Sequence, residues 1–303
     1  MTEWYEQKEK AVGVKRLLLS WWLYKHFGIF PLRLIAFFVT FFAYFGLVEQ
    51  KSALNDYFDA LKSFTGNKKF APSLFNRFRV FLNYANSLVD KIQGFAGDYK
   101  NIGFENEADR AETTNLLKNK QGIFFIINHV GNVELMRVLF NLEVWEVYPK
   151  VNVFLQKNHC EVFNAFLAKI AVKTNVEVLA VEDINVNTAV EIEEKLANGE
   201  IVFMAGDRLS AQNSDTFYQA ELLGKKVKLP VGVLRFAQML DAHIYFVSCA
   251  KENGFYKINT KSFEKTGTKT ETIQKLQKEY VSFLQSCILK YPYQYYQFFK
   301  FFE

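Results

Sequence analysis

Cysteine is scarce and unpatterned in this chain. Cys160, Cys249 and Cys287 lie far apart and form neither a metal-binding nor a redox spacing. An odd number of scattered thiols fits a reducing, cytosolic compartment and argues against a disulfide framework. Histidine is equally sparse, with four residues, and no cluster has metal-ligand spacing, so no metal or other cofactor is expected. There is no Gly-x-x-x-x-Gly-Lys loop and no Gly-x-Gly-x-x-Gly element, which removes the common nucleotide-binding signatures. No Gly-x-Ser-x-Gly turn occurs, which counts against a serine hydrolase. No internal repeat is present. The net charge of +5 carries no dense basic stripe, so nucleic acid is not an expected partner. That charge suits an anionic lipid surface or an acidic carrier protein.

What the chain holds in abundance is apolar and aromatic. Half of the 303 residues are hydrophobic, which excludes a disordered chain and allows a large core. Thirty-two phenylalanines exceed the usual need of a soluble core and suit a membrane-facing surface or a pocket for a long apolar chain. Compositional drift toward Phe is the alternative.

Residues 1–50 read as an N-terminal membrane-anchoring or interfacial segment, and 51–303 as the main domain. Glu3, Glu6 and Glu9 dilute the basic N-terminus, and no small-residue cleavage site follows, so a secretory signal is not expected. From Trp21 to Val48 the chain is nearly all apolar. Its uncharged part, Leu34 to Val48, makes a helix of about 22 Å, short of the roughly 30 Å of a bilayer core. Counting from Ile29 reaches the required length only if Arg33 snorkels to the surface. Lys15, Arg16, Lys25 and Arg33 suit a cytoplasmic, anionic leaflet, and Trp4, Trp21, Trp22 and Tyr24 suit its interface. The segment either lies in or dips into the inner leaflet, or forms a buried helix pair.

Pro72 opens a strong helical pattern through Leu74, Phe78, Phe81, Ala85, Val89 and Ile92. Beyond about Asn115 the rhythm becomes αβ. Strand-like runs are Gly122–Ile127, Val151–Leu155, Val176–Val181, Ile201–Met204, Ile244–Ala250 and Phe255–Asn259. Helical stretches are Val133–Asn141, Glu161–Val172, Asn187–Asn198, Val231–Leu240 and Thr272–Lys290. This alternation predicts an α/β fold, a central mostly parallel sheet with helices on both faces. The tail from Tyr291 to Phe302 is almost solid aromatic.

Three segments carry candidate chemistry. The first is Asn128-His129-Val130-Gly131-Asn132-Val133-Glu134, at the end of an apolar strand. A neutral imidazole can take a proton from a hydroxyl, and a carboxylate on its other ring nitrogen fixes the tautomer. In one continuous helix His129 and Glu134 would point about 140° apart. The pair works only if His129 precedes the helix and Glu134 lies in its first turn, with Gly131 supplying flexibility and Asn132 the N-cap. Otherwise His129 is a satisfied loop residue and Glu134 merely complements a helix dipole. The second is Gly206-Asp207-Arg208, after a strand, able to orient a catalytic group or clamp an anion, or forming a surface ion pair. The third is Leu222-Leu223-Gly224-Lys225-Lys226-Val227-Lys228-Leu229-Pro230, a loop leading into a helix. It reads as a binding loop for phosphate or for a carrier's acidic face, or as a solvated turn.

Together, in this order, the three resemble the lysophospholipid acyltransferase superfamily, and within it the bacterial lipid A biosynthesis (lauroyl/myristoyl) acyltransferases. That branch carries a His-Phe-Gly-Asn-Trp-Glu type motif, matched by His129-Val130-Gly131-Asn132-Val133-Glu134. It carries Asp-Gln or Asp-Arg after a later strand, matched by Asp207-Arg208, and a Phe-x-Gly-x-x-Ala…Pro-x-Gly segment, matched by Leu222 to Gly232. Val133 and Val227 depart from its Trp and Ala, and only Lys157 and Lys169 are candidates for its further basic residue. The resemblance runs from about Gln121 to Ala250. The two ends, with Trp4, Trp21-Trp22 and Tyr295-Tyr296-Gln297-Phe298-Phe299, look more like a sub-branch that accompanies aryl polyene lipids in Gram-negative bacteria.

The resemblance implies acyl transfer at the cytoplasmic face of the bacterial inner membrane. His129 would deprotonate a hydroxyl of a lipid or glycolipid acceptor, with Glu134 supporting the imidazole. The donor would be a thioester on acyl carrier protein, or acyl-coenzyme A. Asn132, Asp207, Arg208, Gly224, Lys225, Lys226 and Pro230 would bind or orient substrate. A hydrolase using the same pair on water, and a non-catalytic membrane-binding homologue, are the alternatives.

Overall fold

The computed structural model describes residues 13–136, 149–170, 175–209 and 215–303. Four helices open it: α1 (Val14–Phe27), α2 (Ile29–Gly46), α3 (Val48–Thr65) and α4 (Leu74–Phe95). The αβ alternation follows: β1 (Ile102–Phe104), α5 (Glu107–Lys118), β2 (Ile123–Gly131), β3 (Val151–Leu155), α6 (Lys157–Ile170), β4 (Val176–Ala180), α7 (Val186–Ala197) and β5 (Ile201–Ala205). A hairpin of β6 (Phe217–Leu222) and β7 (Lys225–Pro230) interrupts it. Then come α8 (Gly232–Met239), β8 (His243–Glu252), β9 (Phe255–Phe263) and α9 (Lys269–Lys290).

The main sheet has seven strands in the order β1-β9-β8-β2-β5-β3-β4. Every pairing is parallel except β8 with β9, so the sheet is mostly parallel with a reversed edge. Strand β2 is central, and its residues alternate between two cores, as a period of two requires. Phe124 and Ile126 join one core with residues of α3, α4, α8 and α9. Ile123, Phe125 and Ile127 join the other with Leu116 and Leu117 of α5. Burial on both faces explains why β2 reads as an unbroken apolar run. Each of its phenylalanines contributes roughly 1.5–3 kcal/mol by leaving water.

Helix α4 starts where Pro72 predicts a helix, with the Ser73 hydroxyl accepting from the Asn76 amide at 3.1 Å. Such a cap stabilises a helix by about 1 kcal/mol. Helices α2 and α4 run antiparallel. Arg33 meets Asp90 at one end (3.2 Å), Arg77 donates to the Tyr44 hydroxyl at the other (3.2 Å), and Phe37 and Phe41 stack edge-on to Phe78 between them. The snorkelling of Arg33 that a full crossing by this helix would require is not its arrangement here. Arg33 is drawn to a buried carboxylate on the neighbouring helix. Trp4 lies outside the described residues.

Two further expectations change. The segment Gly224 to Pro230 is mostly strand β7, not a loop before a helix. Its alternation of exposed Lys226 and Lys228 with buried Val227 and Leu229 is a strand's period. The turn residues Leu223 and Gly224 have φ of 53° and 72°, the left-handed pair of a tight hairpin. The helix expected over Val133–Asn141 begins as a 3-10 turn, Val133–Leu135, and residues 137–148 lie outside the described residues. The end of the helix expected over Glu161–Val172 also falls outside them, beyond Ile170.

Candidate functional site

Strands β2 and β5 are parallel neighbours, paired from Ile123 with Ile201 to Ile127 with Ala205. Their carboxyl ends therefore emerge side by side, where open α/β sheets carry their chemistry. Beyond Ile127, strand β2 shifts register against β8 before Gly131 pairs with Cys249. The shift exposes His129, the single residue of this strand that is not buried. Such irregularities recur beside active sites because they re-aim a side chain.

Asp207 follows β5 by two residues and is fully buried. Its Oδ1 lies 2.7 Å from His129 Nδ1, and its Oδ2 accepts the His129 backbone N–H at 2.9 Å. One carboxylate thus holds both the ring and the main chain of the histidine. Burial pushes the Asp207 carboxyl up. The imidazole, the two hydrogen bonds from His129 and the Arg208 guanidinium outweigh it, and the group stays below its ordinary range. An ionised carboxylate at Nδ1 accepts the ring proton there, which leaves the Nε2 lone pair as the basic site. The His129 side chain is 30% exposed, so the ring is not closed off from a bound molecule.

Two glycines make this geometry possible. A Cβ on Gly206 would lie 2.7 Å from the Tyr280 ring and 2.8 Å from Ile126, so no larger residue brings Asp207 so close under β2. Gly131 has φ +82°, and a Cβ there would lie 2.1 Å from the Cys249 carbonyl oxygen. Behind the loop, Tyr280 donates to the Ile127 carbonyl at 2.8 Å, and Val130 bridges to Tyr295 of the tail.

The carboxylate that braces the imidazole is therefore Asp207 and not Glu134. Strand β2 continues two residues past His129, and the turn at Gly131 carries Glu134 toward α4. There it pairs with Lys91 at 2.5 Å. Asn132 is buried and makes no cap; its side chain donates to the Ser87 carbonyl at 2.8 Å and its N–H to the Cys249 carbonyl at 2.6 Å. Glu134 and Asn132 fasten the turn to α4 and β8.

A small cleft of about 130 Å³ adjoins Asp207 on the side of Arg208, and His129 is not among the residues that line it. It is lined by Asp207, Arg208 and Lys228 and by the tail residues Phe299, Phe301 and Phe302. Arg208 donates to the Tyr296 carbonyl at 3.2 Å and lies over the Phe299 ring. The basic hairpin contributes Lys228, which pairs with Glu303 at 2.8 Å. Lys225 and Lys226 point to solvent, although the Lys226 carbonyl accepts the Glu303 N–H at 2.9 Å. Gly224 sits at the hairpin tip near Phe64, and Pro230 pairs with Phe217. The tail as a wall of the cleft is the part that residue patterns missed, and its density of aromatics was the available signal.

The three cysteines are buried, and burial pushes the Cys249 thiol well up and the Cys287 thiol up, which makes them poor nucleophiles. No known family model matches the chain, and no curated protein matches it.

Proposed function

We propose that the protein is a membrane-associated O-acyltransferase that moves a fatty or polyene acyl chain from a thioester to a hydroxyl of a lipid or glycolipid. The single observation that carries this reading is the His129–Asp207 pair, at the carboxyl edge of a mostly parallel sheet. The motif order that resembles the lipid A acyltransferases supplies the reaction class.

Asp207 holds the Nδ1 proton, so Nε2 removes the proton from the acceptor hydroxyl as its oxygen attacks the thioester carbon. The tetrahedral intermediate collapses, the carbon–sulfur bond breaks, and the thiolate leaves with the proton carried by Nε2. An ester and a free thiol result. General-base help of this kind is worth roughly 10²–10⁴-fold. Arg208, beside the pair, stabilises negative charge on the intermediate or on the donor. Lys225, Lys226 and Lys228 on the hairpin suit the acidic surface of acyl carrier protein, the donor we favour over acyl-coenzyme A. The apolar α2 and the resemblance to the lipid A acyltransferases support a reaction at the cytoplasmic face of the bacterial inner membrane.

The test is transfer of a radiolabelled acyl chain from acyl carrier protein to a lipid extract, by wild type and by His129→Ala. The reading requires labelled lipid from wild type and loss of at least a hundredfold in the variant. An unimpaired variant contradicts it, and release of free acid at the full rate without lipid would make the enzyme a thioester hydrolase.

A further inference from the structure

Helix α2 is long and apolar enough to cross a bilayer, with mean hydropathy 1.8 over Ile29–Gly46. Its 18 residues extend about 27 Å, close to a hydrocarbon thickness of about 30 Å. Its packing gives a different picture. One side is fastened lengthwise to α4, from the Arg33–Asp90 ion pair to the Arg77–Tyr44 hydrogen bond. The other side is bare: Phe30 (74% exposed), Leu34, Phe38, Val39, Phe42 and Phe45 (65%) all face outward. Helix α4 cannot follow α2 across a membrane. It carries the buried Asp90, which also holds Lys251 (2.7 Å) and Tyr256 (3.0 Å) of the sheet, and Arg77, which also donates to Asn55. Charged and paired side chains of this kind do not enter hydrocarbon readily.

Resting on the membrane-associated reading above, we infer that α2 lies flat in one leaflet of an anionic bilayer and does not span it. Charge complementarity selects this occupant. No acidic residue occurs between Glu9 and Glu49, whereas Lys15, Arg16, Lys25 and Arg33 do. The first three are exposed on α1 beside exposed Trp22 and Phe27. An apolar face flanked by cations and an indole is the pattern of an interfacial helix. Arg33 stays tied to Asp90 in this arrangement, so docking leaves the sheet and its histidine loop intact.

The test uses the full chain with Phe30→Cys, Phe38→Cys or Phe45→Cys, each labelled with an environment-sensitive fluorophore. The native thiols are buried and do not compete. Vesicles of phosphatidylcholine with phosphatidylglycerol are added, and label depth is read by quenching with brominated lipids. The expected result is equal, shallow depth at all three positions, with binding lost in phosphatidylcholine alone. If a labelled variant fails to fold, Val39→Cys and Phe42→Cys on the same exposed face replace it. A profile with Phe38 deepest and the two ends shallow means a crossing helix and overturns the inference, while leaving membrane association standing. A fluorescence change without lipid, at twice the monomer mass, gives the face to a second copy and also overturns it. Silent labels on a protein that stays in the supernatant end the membrane reading itself.

Discussion

Asp207 grips His129 at two points, the ring nitrogen Nδ1 at 2.7 Å and the main-chain N–H at 2.9 Å. The two residues are 78 positions apart and meet because β2 and β5 are parallel neighbours. A single rotation of the imidazole would break one contact and leave the other. The carboxylate therefore fixes the loop as well as the tautomer.

The tautomer is directly observable. For the neutral ring in wild type, long-range ¹H–¹⁵N spectra are expected to show the His129 proton on Nδ1 and a bare Nε2. In Asp207→Asn the preference is lost or reversed, since an amide can donate to the ring. A wild-type proton on Nε2 contradicts the proposed base.

Acid stability has a defined sign. The folded Asp207 carboxyl titrates below its unfolded value, so its contribution is present above about pH 4 and is lost as pH falls through the lower folded value. Urea denaturation of wild type and Asp207→Asn between pH 7 and pH 3 is the check. The stability difference is expected to be flat near neutrality and to shrink below about pH 4. A difference that grows in acid reverses the sign.

Asp90 of α4 joins α2 to the sheet by holding Arg33, Lys251 and Tyr256 at once. Removing it leaves two cations without their partner. Both are partly exposed, which limits the penalty because water can reach them. Asp90→Ala is expected to lower unfolding free energy by about 1–3 kcal/mol, measured by urea titration, with Arg33→Gln costing less. An effect of Arg33→Gln larger than that of Asp90→Ala contradicts this ranking.

Gly206 has no room for a methyl group against Tyr280 and Ile126. Gly206→Ala is expected to cost about 1–3 kcal/mol by overpacking and to displace Asp207 from the imidazole. Thermal unfolding and the His129 ring spectrum report the two effects separately. An unchanged melting temperature contradicts the packing.

The fold was legible where chemistry is local and periodic. The apolar runs of β2, β3, β5 and β8 name strands by themselves, and Pro72-Ser73 marks the start of α4. The reversed direction of β9 was missed although its signal was present: Asn253-Gly254, with φ of 50° and 83°, is the tight turn that folds β9 back along β8. At the site, the sequence pointed to His129 and allowed Asp207 an orienting role. It joined His129 to Glu134 because those residues are five positions apart. It had no means of seeing that β2 extends to Gly131, which turns Glu134 to Lys91 and leaves Nδ1 to a residue from another loop. The basic hairpin was misread as a loop because three lysines obscure the period of two carried by Val227 and Leu229.

The most direct measurement compares kcat/KM for acyl transfer in Asp207→Asn and Glu134→Gln. If Asp207 braces the base, Asp207→Asn loses on the order of 10³–10⁴-fold, whereas Glu134→Gln, which loosens the contact with Lys91 away from the imidazole, loses less than about tenfold. The opposite order, with Glu134→Gln inactive and Asp207→Asn near wild type, would contradict the His129–Asp207 pair as the catalytic unit.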